Sequence, residues 1–216
     1  QDIAATAGRI LIQAQQAQIS GMLSTSSTGA GGLIDIGGGS VMLLGAFLAA
    51  SGDTGGGNIG IRVPTPPIAP APTAPASPAP FGPAAPGSLT LSGSTLTTSS
   101  RRGRAGNVTV TGDDVSLSNN TRIDATGSTG GGNVRIGGDW QGGAPIVQGG
   151  SNGIQQATRT NIDSSVVIDA SALDEGNGGT IVAWSDITNA SSLTTVNGQL
   201  IARGGATVGN GGRIET

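Results

Sequence analysis

The 216-residue chain contains no Cys, His, Tyr or Lys, so its ten basic residues are all Arg. The absence of Cys excludes disulfide bonds and thiol catalysis. Aromatic residues make up 2% of the chain and charged residues 11%, and the formal net charge is −3. Disordered chains usually carry a higher net charge than this. Because large apolar residues are also few, we expect a thin and elongated core instead of a wide globular one.

No apolar run reaches the roughly 18 residues that a membrane-spanning helix needs. Basic residues cluster only at 101–104 (RRGR), within a turn. Such a cluster is typical of a solvated loop tip, so we expect no nucleic-acid partner. The chain opens at Gln1 without a Met or a signal-peptide pattern and stops at Thr216 in mid-repeat. We therefore expect a processed product or a fragment of a longer protein.

Glycine, with 40 residues, is in large excess and marks an internal repeat. Each copy consists of a short strand end, a polar turn, a glycine cluster and a second short strand. A base interval of about 25 residues predicts stacked units, each too small to bury its own apolar face. The copies start at Leu23, Leu48, Leu96, Ile123, Ile168 and Ile201.

These copies predict an all-β fold, a right-handed parallel β-helix with about 25 residues and about three short strands per coil. A β-sandwich also has regular short strands, but it does not require the same turn chemistry at one interval. The segment 13–18 (QAQQAQ) has a helix-forming composition, yet the strand-like residues on both sides favour a complete coil. Coils are expected over 1–63, 88–137 and 162–216, together forming a single solenoid domain.

Two insertions interrupt the repeat and are expected to protrude as loops. The first, 64–87, is rich in Pro and Ala, so it favours an extended polyproline helix and cannot continue a sheet. The second, 138–161, is rich in Gly and Gln. Trp140 and Gln141 within it are candidates for a surface-binding loop. Packing at a loop base or strand end is nevertheless the commoner role for Trp140, and for Trp184 as well.

Glycine and asparagine at the corners of the coils are predicted to be structural. Glycine suits left-handed backbone angles at a sharp bend, and stacked asparagine side chains can hydrogen-bond to each other or to turn backbone. A phosphate-binding loop is disfavoured because the chain has no GxxxxGK[ST] pattern. The predicted turn and ladder residues are Gly57, Asn58, Asn107, Gly132, Asn133, Asn177, Gly179, Asn210 and Gly212.

Aspartate follows the strand end at Asp124 and Asp169, and less regularly at Asp35 and Asp163. A row of carboxylates could bind Ca²⁺ or act as an acid–base pair. However, the Ca²⁺-binding nonapeptide GGxGxDxUx does not occur. We expect these residues to bond to turn backbone or to face water, with no cofactor and no enzymatic activity. Ca²⁺ binding and polysaccharide cleavage remain as alternatives.

Several motifs follow one another in a fixed order along the second half of the chain. In this series the chain resembles the repeat region of filamentous-haemagglutinin-like exoproteins, which Gram-negative bacteria, including cyanobacteria, export by two-partner secretion. The likeness is strongest over 122–216, looser over 1–62 and 88–121, and absent from the Pro-rich insertion. The motifs are 130–142 (GGGNVRIGGDWQG), 168–172 (IDASA), 176–186 (GNGGTIVAWSD), 201–205 (IARGG) and 209–216 (GNGGRIET).

The resemblance implies a β-helical stalk or fibre of a large secreted protein, located at or outside the surface of a Gram-negative, and more narrowly a cyanobacterial, cell. It implies an outer-membrane secretion partner and end-to-end stacking on the rest of the parent chain or on identical copies. An adhesin that recognises glycan or a cell surface through the protruding loops is the alternative, and a polysaccharide-cleaving enzyme is a remote one. The resemblance transfers no binding or catalytic residue.

Overall fold

In the computed structural model, the described residues are 3–4 (backbone only), 8–64, 87–142 and 154–216. They form short strands and one 3-10 turn at Trp140–Gly142, so the predicted all-β class is confirmed. The strands are β1 (Ile3–Ala4), β2 (Arg9–Ile19), β3 (Met22–Ser24), β4 (Leu33–Leu44), β5 (Phe47–Ala49), β6 (Asn58–Arg62), β7 (Ser88–Ser92), β8 (Thr95–Thr97), β9 (Asn107–Thr111), β10 (Asp114–Ser118), β11 (Arg122–Asp124), β12 (Asn133–Ile136), β13 (Arg159–Ile162), β14 (Val167–Asp169), β15 (Thr180–Ala183), β16 (Leu193–Val196), β17 (Gln199–Ile201) and β18 (Arg213–Glu215).

All strand pairings among these residues are parallel and join distant parts of the chain. One sheet has seven strands in the order β1-β3-β5-β8-β11-β14-β17. The other has eleven strands in the order β16-β13-β10-β7-β4-β6-β9-β12-β15-β18, with β2 paired to β4. Neighbouring strands within a sheet are not consecutive along the chain. Each sheet is therefore a ladder of equivalent strands from successive repeats.

Strand β4 makes the larger sheet curl. Its first part, Leu33–Gly37, pairs with β6, whereas Val41–Leu44 pairs with β7. The strands therefore fall into three columns: one is the seven-stranded sheet, and two lie on either side of the bend in the larger sheet. The helix-forming segment 13–18 lies within β2, which follows β4 through the same bend. Three strands per repeat and an extended 13–18 segment agree with the sequence-based expectations.

The predicted repeat starts line up in one column, with one exception. Leu23 pairs with Leu48, Leu48 with Leu96, Leu96 with Ile123 and Ile123 with Ile168. The next partner of Ile168 is Leu200, and Ile201 lies opposite Asp169. The start predicted at Ile201 is therefore wrong by one residue. Leu200 and Ala202 pack against the core, because alternate residues of a strand face opposite sides.

The core consists of aliphatic side chains that all three columns of strands contribute. Ile34, Ile59, Val108, Val134 and Ile181 occupy equivalent inward positions and are at most 1% exposed. Leu, Ile and Val dominate because a pleated strand stacked on its equivalents has room for one branched side chain per inward position. The buried core is therefore built from small and medium aliphatic residues at equivalent positions of successive repeats.

The turns after the seven-stranded sheet also stack on one another. Isolated parallel bridges join Ser27 to Gly52, Gly52 to Ser100, Ser100 to Gly127 and Gly127 to Ala172. Hydrogen bonds between neighbouring repeats span 25 residues at Ser51–Ser26, 26 at Asn133–Asn107 and 27 at Ser94–Thr121. These three separations are close to the interval of about 25 residues read from the sequence, whereas Ile168 and its partner Leu200 are 32 residues apart although no insertion lies between them.

Most residues of the two insertions lie outside the described residues, which end at Pro64 and resume at Gly87, and end again at Gly142 and resume at Ile154. The first predicted insertion meets the start of β7 at Ser88. The second was predicted to run to residue 161, but Arg159–Ile162 form β13 and pair with β10. The boundary was misplaced because the polar sequence Arg-Thr-Asn gives no strand signal of its own.

Candidate functional site

The predicted corner glycines close the polar turns. The backbone N–H of Gly57 donates to Ala50 O at 2.7 Å, and the N–H of Gly132 donates to Ala125 O at 2.9 Å. Gly179 and Gly212 donate in the same way to Ala170 and Ala202, each at 2.7 Å. The turns differ in length, yet each ends on this hydrogen bond. The glycine therefore marks the point at which the chain re-enters the sheet.

Left-handed backbone angles are not the reason for glycine at these four positions, so that expectation is wrong. Among the described glycines, the positive φ angles are at other positions, such as Gly45 and Gly176. A methyl group on Gly57 would instead overlap the carbonyl oxygen of Gly32, and one on Gly132 would overlap that of Gly106. The backbones of neighbouring repeats approach so closely at this corner that a Cβ has no room.

Three of the predicted asparagines form a ladder across the first residues of β6, β9 and β12 in the larger sheet. Asn58, Asn107 and Asn133 are register partners. Asn107 Nδ2 donates to Asn58 Oδ1 at 2.8 Å, and Asn133 Nδ2 donates to Asn107 Oδ1 at 2.8 Å. Thr180 takes the next position, so the ladder ends there.

Asn177 and Asn210 occupy a different position from the ladder. Both precede the closing glycine within their turns, and Asn210 N donates to Asn177 Oδ1 at 2.8 Å. Asn177 O also accepts from Gly131 N. They therefore link one turn to the next, three residues before Thr180 and Arg213, which continue the row of the side-chain ladder.

The aspartates after the strand ends bond to their own turns. Asp124 Oδ1 accepts from the backbone N–H and the hydroxyl of Thr126, and Asp169 Oδ1 accepts from Ser171 N. In Asp163, the backbone N–H of Ser165, followed by its hydroxyl, donates to the carboxylate and holds the pKa below its ordinary value. These contacts agree with the structural role expected for the three residues.

Asp35 differs from that expectation because it lies within β4 on the outer face of the sheet. Arg62 Nη2 contacts both of its carboxylate oxygens at 2.7 Å, and Arg9 Nη2 lies 4.0 Å from Oδ2. The Asp35 side chain is 11% exposed, whereas that of Arg62 is 60% exposed. The carboxylate thus anchors a guanidinium that projects to solvent.

Trp140 and Gln141 contact the last strand of the larger sheet. The guanidinium carbon of Arg213 lies 5.8 Å from the centroid of the Trp140 ring, and Gln141 N donates to Glu215 Oε2 at 2.8 Å. Asp139 receives hydrogen bonds from Arg135 Nε and Trp140 N. The start of the second insertion is therefore held against β18, and surface binding by Trp140 and Gln141 stays a prediction.

The outer face of the larger sheet carries a groove of about 860 Å³. We call it the glycine groove after Gly38 and Gly39 in its lining, at the bend of β4. Its walls include Gln13, Gln15, Asp35, Arg62, Thr109 and Thr111, and the described ends of the two insertions, Pro64 and Ile154, border it.

Strand register assembles this groove, so sequence reasoning missed it. Gln13, Gly37, Arg62 and Thr111 form one row of paired residues across four strands. Asp35, Gly60 and Thr109 form a second, parallel row. Rows of this kind space equivalent positions about 4.8 Å apart from strand to strand. No local motif reveals a site whose members are distributed over several repeats.

Within the described parts of the chain, no three His, Cys, Asp or Glu residues are grouped so as to hold a metal ion. None of the described segments forms a helix with the length and hydrophobicity needed to cross a bilayer.

Comparisons with known proteins bear on the fold. No protein-family model matches the chain, and no curated protein matches it. Among solved structures, it is similar to the HMW1 secretion domain from Haemophilus influenzae, with a TM-score of 0.62 and 21% sequence identity over 93% of this chain. The chain spans 44% of the length of that structure. At this level of identity the likeness concerns the fold alone.

Proposed function

We propose that the chain is a segment of an extracellular β-helical protein that serves as a structural or adhesive stalk and has no enzymatic activity. In this proposal the strands close into a right-handed solenoid of about 25 residues per coil, the hand that parallel crossover connections almost always adopt. Each coil adds about 4.8 Å to a rod. The observation that carries the proposal is the parallel register that runs from Leu23 to Leu200 through one column.

Export through an outer-membrane partner belongs to the same proposal. The motifs between 122 and 216 resemble those of two-partner-secretion exoproteins, and the structural neighbour is by its title a secretion domain. These two independent likenesses, one of sequence and one of fold, support secretion from a Gram-negative cell. A cyanobacterial source is the narrower form of the proposal.

End-to-end stacking on the rest of the parent chain, or on identical copies, is the mode of assembly we propose. Strands β16, β17 and β18 each pair with one neighbour among the described strands. Their other edges carry backbone N–H and C=O groups that a further coil can satisfy. Stacking of this kind lengthens the rod without any new type of contact.

Electron microscopy of the native full-length protein tests the stalk. We expect rods or fibres at the cell surface, and we expect them to disappear when the gene for the outer-membrane partner is deleted. Compact particles of low aspect ratio would contradict the stalk, whereas rods that persist without the partner would contradict only the export route. Sedimentation of the 216-residue chain at rising concentration then distinguishes stacking between copies from stacking within one parent chain.

A ligand-binding adhesin is the second candidate, and the glycine groove favours it because the groove is a concave surface with several convergent polar groups. Polysaccharide cleavage stays a remote alternative. It requires two carboxylates facing one substrate, whereas Asp124 and Asp169 are engaged with their own turns.

A further inference from the structure

Several polar side chains in the glycine groove lack a protein partner. Thr111 lines the groove, and no described residue hydrogen-bonds to its hydroxyl. The same holds, within the described part of the chain, for the side chains of Gln13, Gln15 and Thr109. The groove therefore has unused capacity for hydrogen bonds.

The ion pair adds donors and acceptors to the same surface. Only Nη2 of Arg62 contacts Asp35, so Nη1 and Nε have no partner among the described residues. Asp35 contributes carboxylate oxygens to the same lining as the two threonine hydroxyls. The carboxylate also fixes the guanidinium in place, because its own side chain is largely buried.

The chemistry of the lining discriminates between classes of ligand. Gln and Thr side chains both donate and accept, Arg62 only donates, and Asp35 only accepts. An anion needs donors alone, and the Asp35 carboxylate would repel it. An apolar ligand would cover the hydroxyl and amide groups of the lining without hydrogen-bonding to them. A hydroxyl group both donates and accepts, so a ligand with many hydroxyls fits this lining best.

The shape of the groove suits a chain of sugars. Arg62 and Thr111 are neighbours in one row, with a strand spacing of about 4.8 Å, close to the length of one pyranose ring. A volume of about 860 Å³ accommodates a short oligosaccharide.

From these observations we propose that the glycine groove binds a neutral glycan through Gln13, Gln15, Arg62, Thr109 and Thr111. This inference deepens the adhesin candidate and rests on the proposed extracellular location, since glycans are accessible there. It places the binding site on the outer face of the sheet, away from Trp140 and Gln141.

Binding of the purified 216-residue chain to an array of neutral oligosaccharides, with heparin as the anionic probe, tests the proposal. Titration calorimetry then quantifies the best neutral binder. We expect the near-isosteric double variant Thr109→Val/Thr111→Val to weaken binding at least about tenfold, and Gln15→Ala to weaken it severalfold. Valine is well tolerated in strands, and an unchanged thermal midpoint of each variant verifies that the fold is intact.

The matched control is Thr95→Val, an outward threonine in β8, remote from the groove lining. Thr95→Val and Trp140→Ala should both bind as the unmodified chain does. Absence of any neutral binder, or equal binding by the groove double variant, overturns the inference. Binding confined to heparin and lost in about 0.5 M NaCl also overturns it, because that behaviour indicates non-specific attraction to arginine. None of these results depends on export or fibre formation, so failure here leaves the stalk proposal to its own test.

Discussion

At the scale of single residues, the closing glycines form a column in which the backbone of one repeat lies directly on the next. Gly57 lies against Gly32 on one side, and Gly106 lies against Gly57 on the other. In contrast, the partner of Gly55 is Ala30 and that of Gly130 is Arg104. Two glycines of the same cluster are therefore needed for different reasons. Gly57 is required by the close approach of neighbouring backbones, whereas Gly55 only takes part in the turn.

Gly57→Ala should lower the free energy of unfolding by about 3 kcal/mol, because the new methyl group overlaps backbone that cannot rotate away. Gly55→Ala is the matched control. Its Cβ would meet only Arg104 O, at 4.0 Å, so its stability should stay within about 0.5 kcal/mol of the unmodified chain or rise slightly. Urea unfolding followed by circular dichroism measures both. Equal costs for the two variants would contradict the packing argument.

The asparagine ladder permits a second substitution, one that changes a single atom. Asn107→Asp replaces the Nδ2 donor that bonds Asn58 Oδ1 with a carboxylate oxygen. At pH 7 we expect a loss of about 1 kcal/mol. The loss should shrink below about pH 4, since a protonated carboxyl can again donate.

Asn189→Asp serves as the control for the ladder variant. Its Oδ1 only accepts, from Ser191 N at 2.9 Å, and a carboxylate retains that bond. Its stability should be nearly unchanged at pH 7. A pH-independent loss in Asn107→Asp would show that the cost does not arise from the missing donor.

At the scale of strands, the position of an apolar residue within the column determines its contribution. Ile123 is fully buried between Leu96 and Ile168. Leu200 packs against the core but is only partly buried, and in its column it has Ile168 as a register partner. Ile123→Ala should therefore cost about 3 kcal/mol, and Leu200→Ala about 1 kcal/mol. Urea midpoints at constant slope provide the test, and equal losses would contradict the ordering.

The strand pattern was predictable because inward residues alternate and the turns between them are rich in glycine. The same pattern misplaced the last repeat. Aligning Ile201-Ala-Arg with Ile168-Asp-Ala matched the first letter, but Leu200 is the residue that faces inward. Leu200 and Ile201 are both large and apolar, so the sequence does not show which of them faces inward. The turns differ in length between repeats, so counting back from the next strand does not decide it either.

The glycine groove and the reason for the closing glycines were beyond sequence reasoning for a related cause. Both depend on which residues of different repeats lie side by side. The pairing of Asp35 with Arg62 spans 27 residues, and a sequence of many polar, outward positions offers several such partners. The composition and repeats indicate that the strands stack, whereas the strand register decides which side chains become neighbours on the surface.

At the scale of the whole molecule, stability is expected to vary along the stack, because each repeat contacts only its neighbours. Leu96, Val108, Ile123 and Val134 are completely buried. Toward residue 216, Leu193 is 55% exposed and Ile214 is 46% exposed. The hydrophobic contribution that holds each strand in place therefore decreases from the centre toward β16–β18.

Hydrogen exchange monitored by mass spectrometry should resolve this gradient in the 216-residue chain. Amides of β8–β12 should exchange by global unfolding, and those of β16–β18 should exchange faster, through local opening of the last repeats. Leu200→Ala should accelerate exchange in 193–216 while leaving 95–136 unchanged, because coupling passes only between adjacent repeats. Uniform protection along the chain, or loss of central protection in Leu200→Ala, would instead mean that the stack opens as one cooperative unit. If identical copies stack end to end, protection of 193–216 should rise with protein concentration, since the strand edges of the last repeat are then paired.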